Sequence, residues 1–367
     1  MESTVGIALL GCGTVGGGVA DLLSQRRAHI ERRSGASYDI IGVANRTRDP
    51  IALVDDPRVD VVIETIGGTG VALECIERAL DHRKHVVTAN KDAIATQGPR
   101  LRALAAARGV TLRYEASVAS AVPIISTLDH ALAGDEILEV GGVLNGTCNF
   151  ILGKMRDGNS FSEALSQAQA AGYAEADPRN DVQGIDAAHK LAILIQHAFG
   201  LPVITPHVRH RGIDGVTSAA VRRARQHGYE LKLVGYARLL RQAQHDIDGI
   251  VAEVGPVLVP FTHPFAKVSG VENIIRVVCT AAGPLLFSGA GAGREAASSA
   301  VLGDVVAALR TIAERHCARA AVAAQPPPSV ESAFDRFPEF AGFPVLTSAP
   351  LKGDTHVGYS PRTLSAV

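Results

Sequence analysis

Val5 to Leu10 is an unbroken apolar run that stops on Gly11-Cys12-Gly13-Thr14-Val15-Gly16, after which Val19, Leu22 and Leu23 recur at helical spacing. A short apolar run closed by a glycine turn reads as a buried strand, and the spacing beyond it as an amphipathic helix. Strand, glycine turn and helix in that order leave little freedom of fold. The first glycine permits the tight turn, the second lets a charged ligand approach the backbone, and the third lets the helix pack on the strand. Free N–H groups at the helix start then face the turn and suit a pyrophosphate. Gly11, Gly13, Thr14, Val15 and Gly16 are therefore expected to bind a dinucleotide.

The pattern continues as a doubly wound sheet. Strands are expected at 39–44, 60–64, 85–88 and 111–115, with helices at 72–80 and 101–107 between them. Alternation of this kind implies a parallel sheet with helices on both faces, and ligands bind such sheets beyond the C-terminal strand ends. Glu64, Thr65, Lys91 and Glu115 fall at those ends, which places Thr65 and Lys91 over the cofactor. The second strand runs into Asn45, Arg46, Thr47 and Arg48, where a carboxylate would select NAD. Two guanidinium groups and no acid suit a 2′-phosphate instead, so the reading leans to NADP, with Arg46 as a contact.

From about Ser117 the pattern changes. A strand at 137–144 leads into Asn145-Gly146-Thr147-Cys148-Asn149, and residues 205–287 read mainly as strands around one helix near 217–226. An antiparallel sheet results, one face of which a second subunit often covers. Gly289 to Glu295 (GAGAGRE) is another glycine loop, with Gly291 and Gly293 as cofactor contacts. It opens a helix at 296–317 that returns to the first domain. The fold class is thus α/β: a Rossmann-type doubly wound parallel sheet plus an α+β substrate and dimerisation domain. The expected division is residues 1–130 for the dinucleotide (completed by 288–320), 131–287 for substrate and dimerisation, and a Pro-rich tail at 321–367.

Gly172 to Lys190 (GYAEADPRNDVQGIDAAHK) carries four carboxylates and ends on a lysine. Ile185, Ala188, Leu191, Ala192 and Ile195 start a helix in which Asp186 and Lys190 are four apart with the acid first, the favourable order. An exposed pair of this kind contributes only ~0.3–0.5 kcal/mol. Its flank, KLAILIQHAFGL, is apolar, however, and only seven of the 36 basic residues are lysines. Unlike arginine, lysine can give up its proton when its surroundings lower its pKa. Lys190 is therefore read as functional.

With 367 residues, a net charge of −1 and 47% hydrophobic content, the chain suits two or three globular domains and offers no electrostatic case for nucleic acid or membrane. Its start is read as no signal peptide and it contains no unbroken span of 18 apolar residues. Five separated cysteines without a CxxC pair point to reduced thiols and a cytoplasmic protein, and His82 and His85 are read as surface residues.

Together, GCGTVGGGV, HVVTANK, VLNGTCNFIL, GYAEADPRNDVQGIDAAHKLA, HPFAKVSGVENII and GAGAGREAASSAV resemble homoserine dehydrogenases, in that family's order, over roughly residues 5–317. The resemblance implies NAD(P)-dependent interconversion of L-homoserine and L-aspartate 4-semialdehyde, toward threonine and methionine. It makes Lys190 the acid/base, and Lys91 a contact of both nicotinamide and substrate. Glu175 resembles the carboxylate that holds the substrate amino group; Gly146, Thr147, Tyr173, Asp181 and Asp186 match other substrate-side positions. It also implies a sodium or similar ion at Glu115, Val118, Ser120 and Val122, held largely by carbonyls, and a homodimer.

Three departures stand out. Ala119-Ser120-Ala121 replaces the family's glycines, at a cost of about 1 kcal/mol if the turn needs positive φ. Cys148 enters the substrate loop, where packing rather than chemistry is expected of it. The tail is too short for the ACT regulatory domain of many bacterial members, so the chain reads as a short form. Two other readings stay open: an oxidoreductase of this scaffold acting on another hydroxy amino acid, and a non-catalytic NADPH sensor.

Overall fold

The computed structural model describes residues 4–45, 47–241 and 247–317; Arg46 and the tail at 321–367 lie outside the described residues. Strands β1 (Val5–Leu10), β2 (Tyr38–Ala44), β3 (Val61–Glu64), β4 (His85–Thr88) and β5 (Leu112–Arg113) form a parallel sheet in the order β2-β1-β3-β4-β5. All residues of β1, β3 and β4 are buried, as expected of strands covered on both faces. Period two divides them between two cores. Val5, Ile7, Leu9, Val61 and Ile63 pack with Val19, Leu23, Val301, Val305 and Leu309 of the helices Thr14–Gln25 and Arg294–Cys317. Ala8, Leu10, Val62 and Val86 face Cys75, Ile76, Ile94 and Leu101 of the helices Val71–Asp81 and Lys91–Arg108. By length and composition Arg294–Arg315 could cross a membrane, with a mean hydropathy of 1.4. Its apolar residues instead fill this core.

The second sheet contains β6 (Ile137–Val143), β7 (Arg209–His210), β8 (Tyr229–Arg241), β9 (Ile247–Pro260), β10 (Glu272–Cys279) and β11 (Gly283–Ala290), in the order β11-β10-β6-β8-β9-β7. Its pairs are antiparallel except β7 with β9. The helix Ile185–Ala198 packs between this sheet and the Lys91–Arg108 helix, and residues 186–188 and 190–196 of it are buried.

Several expectations are corrected. The helix expected at 101–107 begins at Lys91, because Asn90 caps it by accepting from Ala93 N at 3.1 Å. The helix runs through Gly98-Pro99, where Gly98 serves close packing: a Cβ there would lie 2.7 Å from Gln196 Oε1. Within the stretch expected to be loop after the strand at 137–144, a helix starts at Gly146, capped by Asn145. Strand 111–115 shortens to Leu112–Arg113, and Glu115 lies in a 3₁₀ turn, Glu115–Ser117. His85 is buried, not superficial; burial, then Arg315 and Arg113, push its imidazole down to about 4.

Candidate active site

The glycine turn is built for close approach. Gly11 has φ +93°, and a Cβ on Gly16 would lie 2.1 Å from Gly11 O and 2.5 Å from Thr65 Oγ1. Gly13 faces open space and caps the Thr14–Gln25 helix without any side chain, so the N–H groups of its first turn point outward uncapped. Thr65 Oγ1 donates to Leu10 O and Gly11 O, both at 3.0 Å, tying the end of β3 to the turn. A cleft of about 720 Å³ opens here, lined by Gly11, Gly13, Asn45, Thr47, Thr65 and Ile66. An uncapped helix start and a Cβ-free cradle fit a dinucleotide pyrophosphate.

Two acids expected at the strand ends turn inward. Glu64 is fully buried, and its carboxylate accepts from Ile66 N (2.6 Å), Gly67 N (2.8 Å) and Thr88 Oγ1 (2.5 Å). It shapes the cleft wall rather than lining it. Glu115 accepts from Ile125 N (2.7 Å) and Ser126 N (2.8 Å), while its own N–H donates to buried Asp304 at 2.7 Å. At the end of β2, Asn45 Oδ1 accepts from Thr47 N (2.9 Å) and Oγ1 (2.7 Å), and Arg48 folds back along Gly42.

The reactive groups converge on Asp186. Lys190 Nζ lies 2.9 Å from Asp186 Oδ2 and donates at 2.9 Å to Leu144 O, just beyond β6. Lys91 Nζ, from the start of the other helix, lies 2.7 Å from Asp186 Oδ1. Asn145 Nδ2 donates to Asp186 Oδ2 (2.8 Å) and to Asp181 Oδ1 (2.7 Å). Burial alone would raise the Asp186 carboxyl, but Lys190 and Lys91 outweigh it and hold it well below the usual carboxylate range. The Asp186 carboxylate in turn holds the Lys91 ammonium above its ordinary range, against desolvation. Asp181 moves up, because burial exceeds the help from Asn145.

The substrate-loop residues are partly assembled around this bridge. Thr147 Oγ1 donates to Tyr173 O at 2.7 Å, and the Tyr173 ring meets Phe150 edge-on at 5.1 Å. Gly146 fits only as glycine, since a Cβ would lie 2.5 Å from Val271 O. Gly291 likewise abuts the buried Asn273 side chain, and Gly293 has φ +117°. Cys148 is buried, donates to Asp181 O at 3.2 Å, and is held protonated by desolvation. Glu175 is exposed, and among the described residues its carboxylate has no partner. The carboxylates acting on Lys91 are Asp186, Asp92 and Asp181 instead.

At the expected ion site, Ala119 (φ 52°) and Ser120 (φ 21°) do adopt positive φ. Ser120 Oγ bonds to Ala116 O, Val118 N to Glu115 O, and Ile124 N to Val122 O. Both Glu115 oxygens are already engaged, and no described group of three or more His, Cys, Asp or Glu could hold a metal. Sequence reasoning missed Asn145, the Leu144 carbonyl and an Asp92–His189 contact. Only Asn145 carried a signal, as a cap residue before a helix.

Comparison with known proteins shows the family. A family model for homoserine dehydrogenase matches residues 123–306, and one for the NAD-binding domain of homoserine dehydrogenase matches residues 11–115. The chain belongs to the homoserine dehydrogenase family. Its relatives include homoserine dehydrogenases of Pseudomonas aeruginosa (40% identical over 322 residues, 84% of this chain and 73% of the relative) and Corynebacterium glutamicum (41% over 323 residues, 84% and 72%). The solved structure of a homoserine dehydrogenase from Thiobacillus denitrificans superposes with a TM-score of 0.81 at 40% identity, covering 86% of this chain and 75% of that one. A hyperthermophilic archaeal homoserine dehydrogenase mutant in complex with NADPH gives 0.71 at 25% identity, covering 83% and 98%. This chain is thus an NAD(P)-dependent oxidoreductase that interconverts L-homoserine and L-aspartate 4-semialdehyde in amino-acid biosynthesis.

Proposed function

We propose that Lys190 is the proton donor and acceptor of this reaction and that Lys91 stabilises charge beside it. The observation that carries the proposal is the single buried carboxylate, Asp186, shared by both ammonium groups at 2.7 and 2.9 Å. An ammonium has three protons to donate. Lys190 commits two, to Asp186 and to Leu144 O, which leaves one for a substrate oxygen. Lys91 commits one, and its side chain is 39% exposed. The bound nicotinamide supplies or removes the hydride. As negative charge grows on the aldehyde oxygen, Lys91 stays charged beside it and Lys190 delivers the proton. In the oxidation direction an unprotonated Lys190 accepts the hydroxyl proton.

Gly146, Thr147, Tyr173, Asp181 and Glu175 are proposed to hold the amino-acid end of the substrate, with Glu175, unpaired and exposed, for its ammonium. Gly11, Gly13, Thr14, Val15, Gly16, Thr65, Gly291 and Gly293 are proposed to hold the cofactor. NADP is favoured because Asn45 and Thr47 stand at the end of β2, and no carboxylate that would repel a 2′-phosphate lines the cleft among the described residues. An alkali ion at Glu115, Val118, Ser120 and Val122 is proposed with backbone carbonyls as its ligands, and no chemical step passes through it.

A homodimer is supported by the apolar exposure of Val257, Leu258 and Phe261 at and beyond the end of β9. The free thiols Cys12, Cys75, Cys148 and Cys279 support a cytoplasmic setting. We keep the division into 1–130 with 288–320, and 131–287. The test is steady-state turnover of L-homoserine with NADP by Lys190→Met and Lys91→Met. Loss of about 10²–10⁴-fold in kcat for Lys190→Met supports the reading. Turnover within tenfold of wild type refutes it.

A further inference from the structure

Each lysine is followed or preceded in sequence by a residue that contacts its counterpart: Lys91-Asp92 on one helix, His189-Lys190 on the other. His189 Nδ1 lies 3.0 Å from Asp92 Oδ1, with the histidine side chain 16% exposed and the aspartate 37%. Consecutive helical residues point about 100° apart, so this contact cannot share the lysines' direction. It closes the seam between the helices Lys91–Arg108 and Ile185–Ala198 beside the reactive bridge.

The two helices are thus tied twice, in opposite senses. In the Lys91–Asp186 tie the first helix supplies the cation and the second the anion. In the Asp92–His189 tie the first supplies the acceptor and the second the ring nitrogen. Lys91, which makes the first tie, is assigned to the substrate oxygen, whereas neither member of the second tie is assigned a substrate or cofactor contact. The bond to His189, ahead of the charge of Lys91, also holds the Asp92 carboxyl below its usual range, as a standing interaction would.

We propose that Asp92 and His189 form a positioning pair that fixes the spacing between the helices carrying Lys91 and Lys190 during turnover. The proposal rests on the assignment of those two lysines to the chemistry. A small misplacement of reacting groups costs up to about 10²-fold in rate, so the loss should appear in kcat rather than in cofactor binding.

The test compares His189→Leu, His189→Asn, Asp92→Ala and the Asp92→Ala/His189→Leu double variant, with Lys190→Met alongside. The readouts are kcat, KM for L-homoserine and for NADP, and the thermal midpoint. His189→Leu and Asp92→Ala should each lower kcat about tenfold or more, with KM for NADP and the midpoint essentially unchanged. His189→Asn, whose amide nitrogen can stand where Nδ1 does, should recover most of the rate. The double variant should be no slower than the slower single, as expected of partners in one contact. The pair is overturned if His189→Leu keeps kcat within twofold, if the single losses multiply, or if His189→Asn is as slow as His189→Leu. Wild-type turnover by Lys190→Met would sink the lysine assignment itself; an inactive Lys190→Met beside a fully active His189→Leu would sink only the pair.

Discussion

Asp186→Asn removes the one anion between two ammonium groups while nearly preserving shape. The lysine nitrogens sit 2.7 and 2.9 Å from different oxygens of one carboxylate, so a separation on the order of 5 Å is taken for the Coulomb arithmetic. Two like charges at ~5 Å repel by about 3 kcal/mol at an effective dielectric of 20. Breaking a buried ion pair typically costs 3–5 kcal/mol, which agrees. The two lysines respond differently. Lys91 is partly exposed and can swing to water, whereas Lys190 is buried. The variant is therefore expected to fold with about 3 kcal/mol less stability and to lose roughly 10²–10³ in kcat/KM, the rate equivalent of 3–4 kcal/mol. Urea unfolding and homoserine oxidation followed by nicotinamide absorbance measure the two effects. Because the native Asp186 pKa is depressed, its contribution is present above the unfolded value near 4 and is lost as pH falls further. The stability gap between wild type and variant should narrow in acid. An unchanged urea midpoint together with turnover within tenfold of wild type would refute the shared-carboxylate reasoning.

Other expectations follow from single positions. Ala119→Gly should raise the urea midpoint by the equivalent of about 1 kcal/mol, since φ is 52° there; a lower midpoint contradicts the strain. Gly16→Ala should weaken NADPH binding about tenfold to a hundredfold in a fluorescence titration, since its Cβ would sit 2.1 Å from Gly11 O; unchanged affinity would contradict the close-approach argument. Asp304 is held up at about 7, first by burial and then by Glu115, against the help of the Glu115 N–H. A raised acid contributes stability that is full below about pH 4 and declines as pH rises to about 7. Asp304→Asn should therefore gain on wild type at pH 8, by up to ~4 kcal/mol, and show no gain at pH 4 in urea titrations.

The first sheet could be read from the chain because its central strands are buried on both faces and so appear as plain apolar runs beside a glycine turn. The Asp186–Lys190 pair could be read because helical spacing brings i and i+4 together. Lys91 joins the same carboxylate from 95 positions away, and local periodicity says nothing about such a meeting. The strand-end position places Lys91 over the cofactor and the resemblance brings it to the substrate, but neither names the carboxylate it meets. Where local signals misled, tertiary packing had overridden them. The helix expected at 101–107 starts at Lys91 and runs through Gly98-Pro99, where the glycine lets Gln196 approach. Glu64 and Glu115 look like cleft-lining acids, yet both serve as acceptors for buried N–H groups, a role set by loops whose shape the sequence does not announce. His85 looks polar and exposed beside Lys84 and Arg83, but pairing with Thr111 buries it.

The most direct test of the lysine assignment is a single-turnover experiment on Lys190→Met with enzyme in excess over NADP and saturating L-homoserine, following NADPH formation in the first turnover. A first-turnover rate lowered by about 10² or more, with NADP affinity retained, is what a proton acceptor seated between Asp186 and Leu144 requires. A burst of NADPH at the wild-type rate would mean that the proton leaves by another route and that Lys190 is not the acid/base.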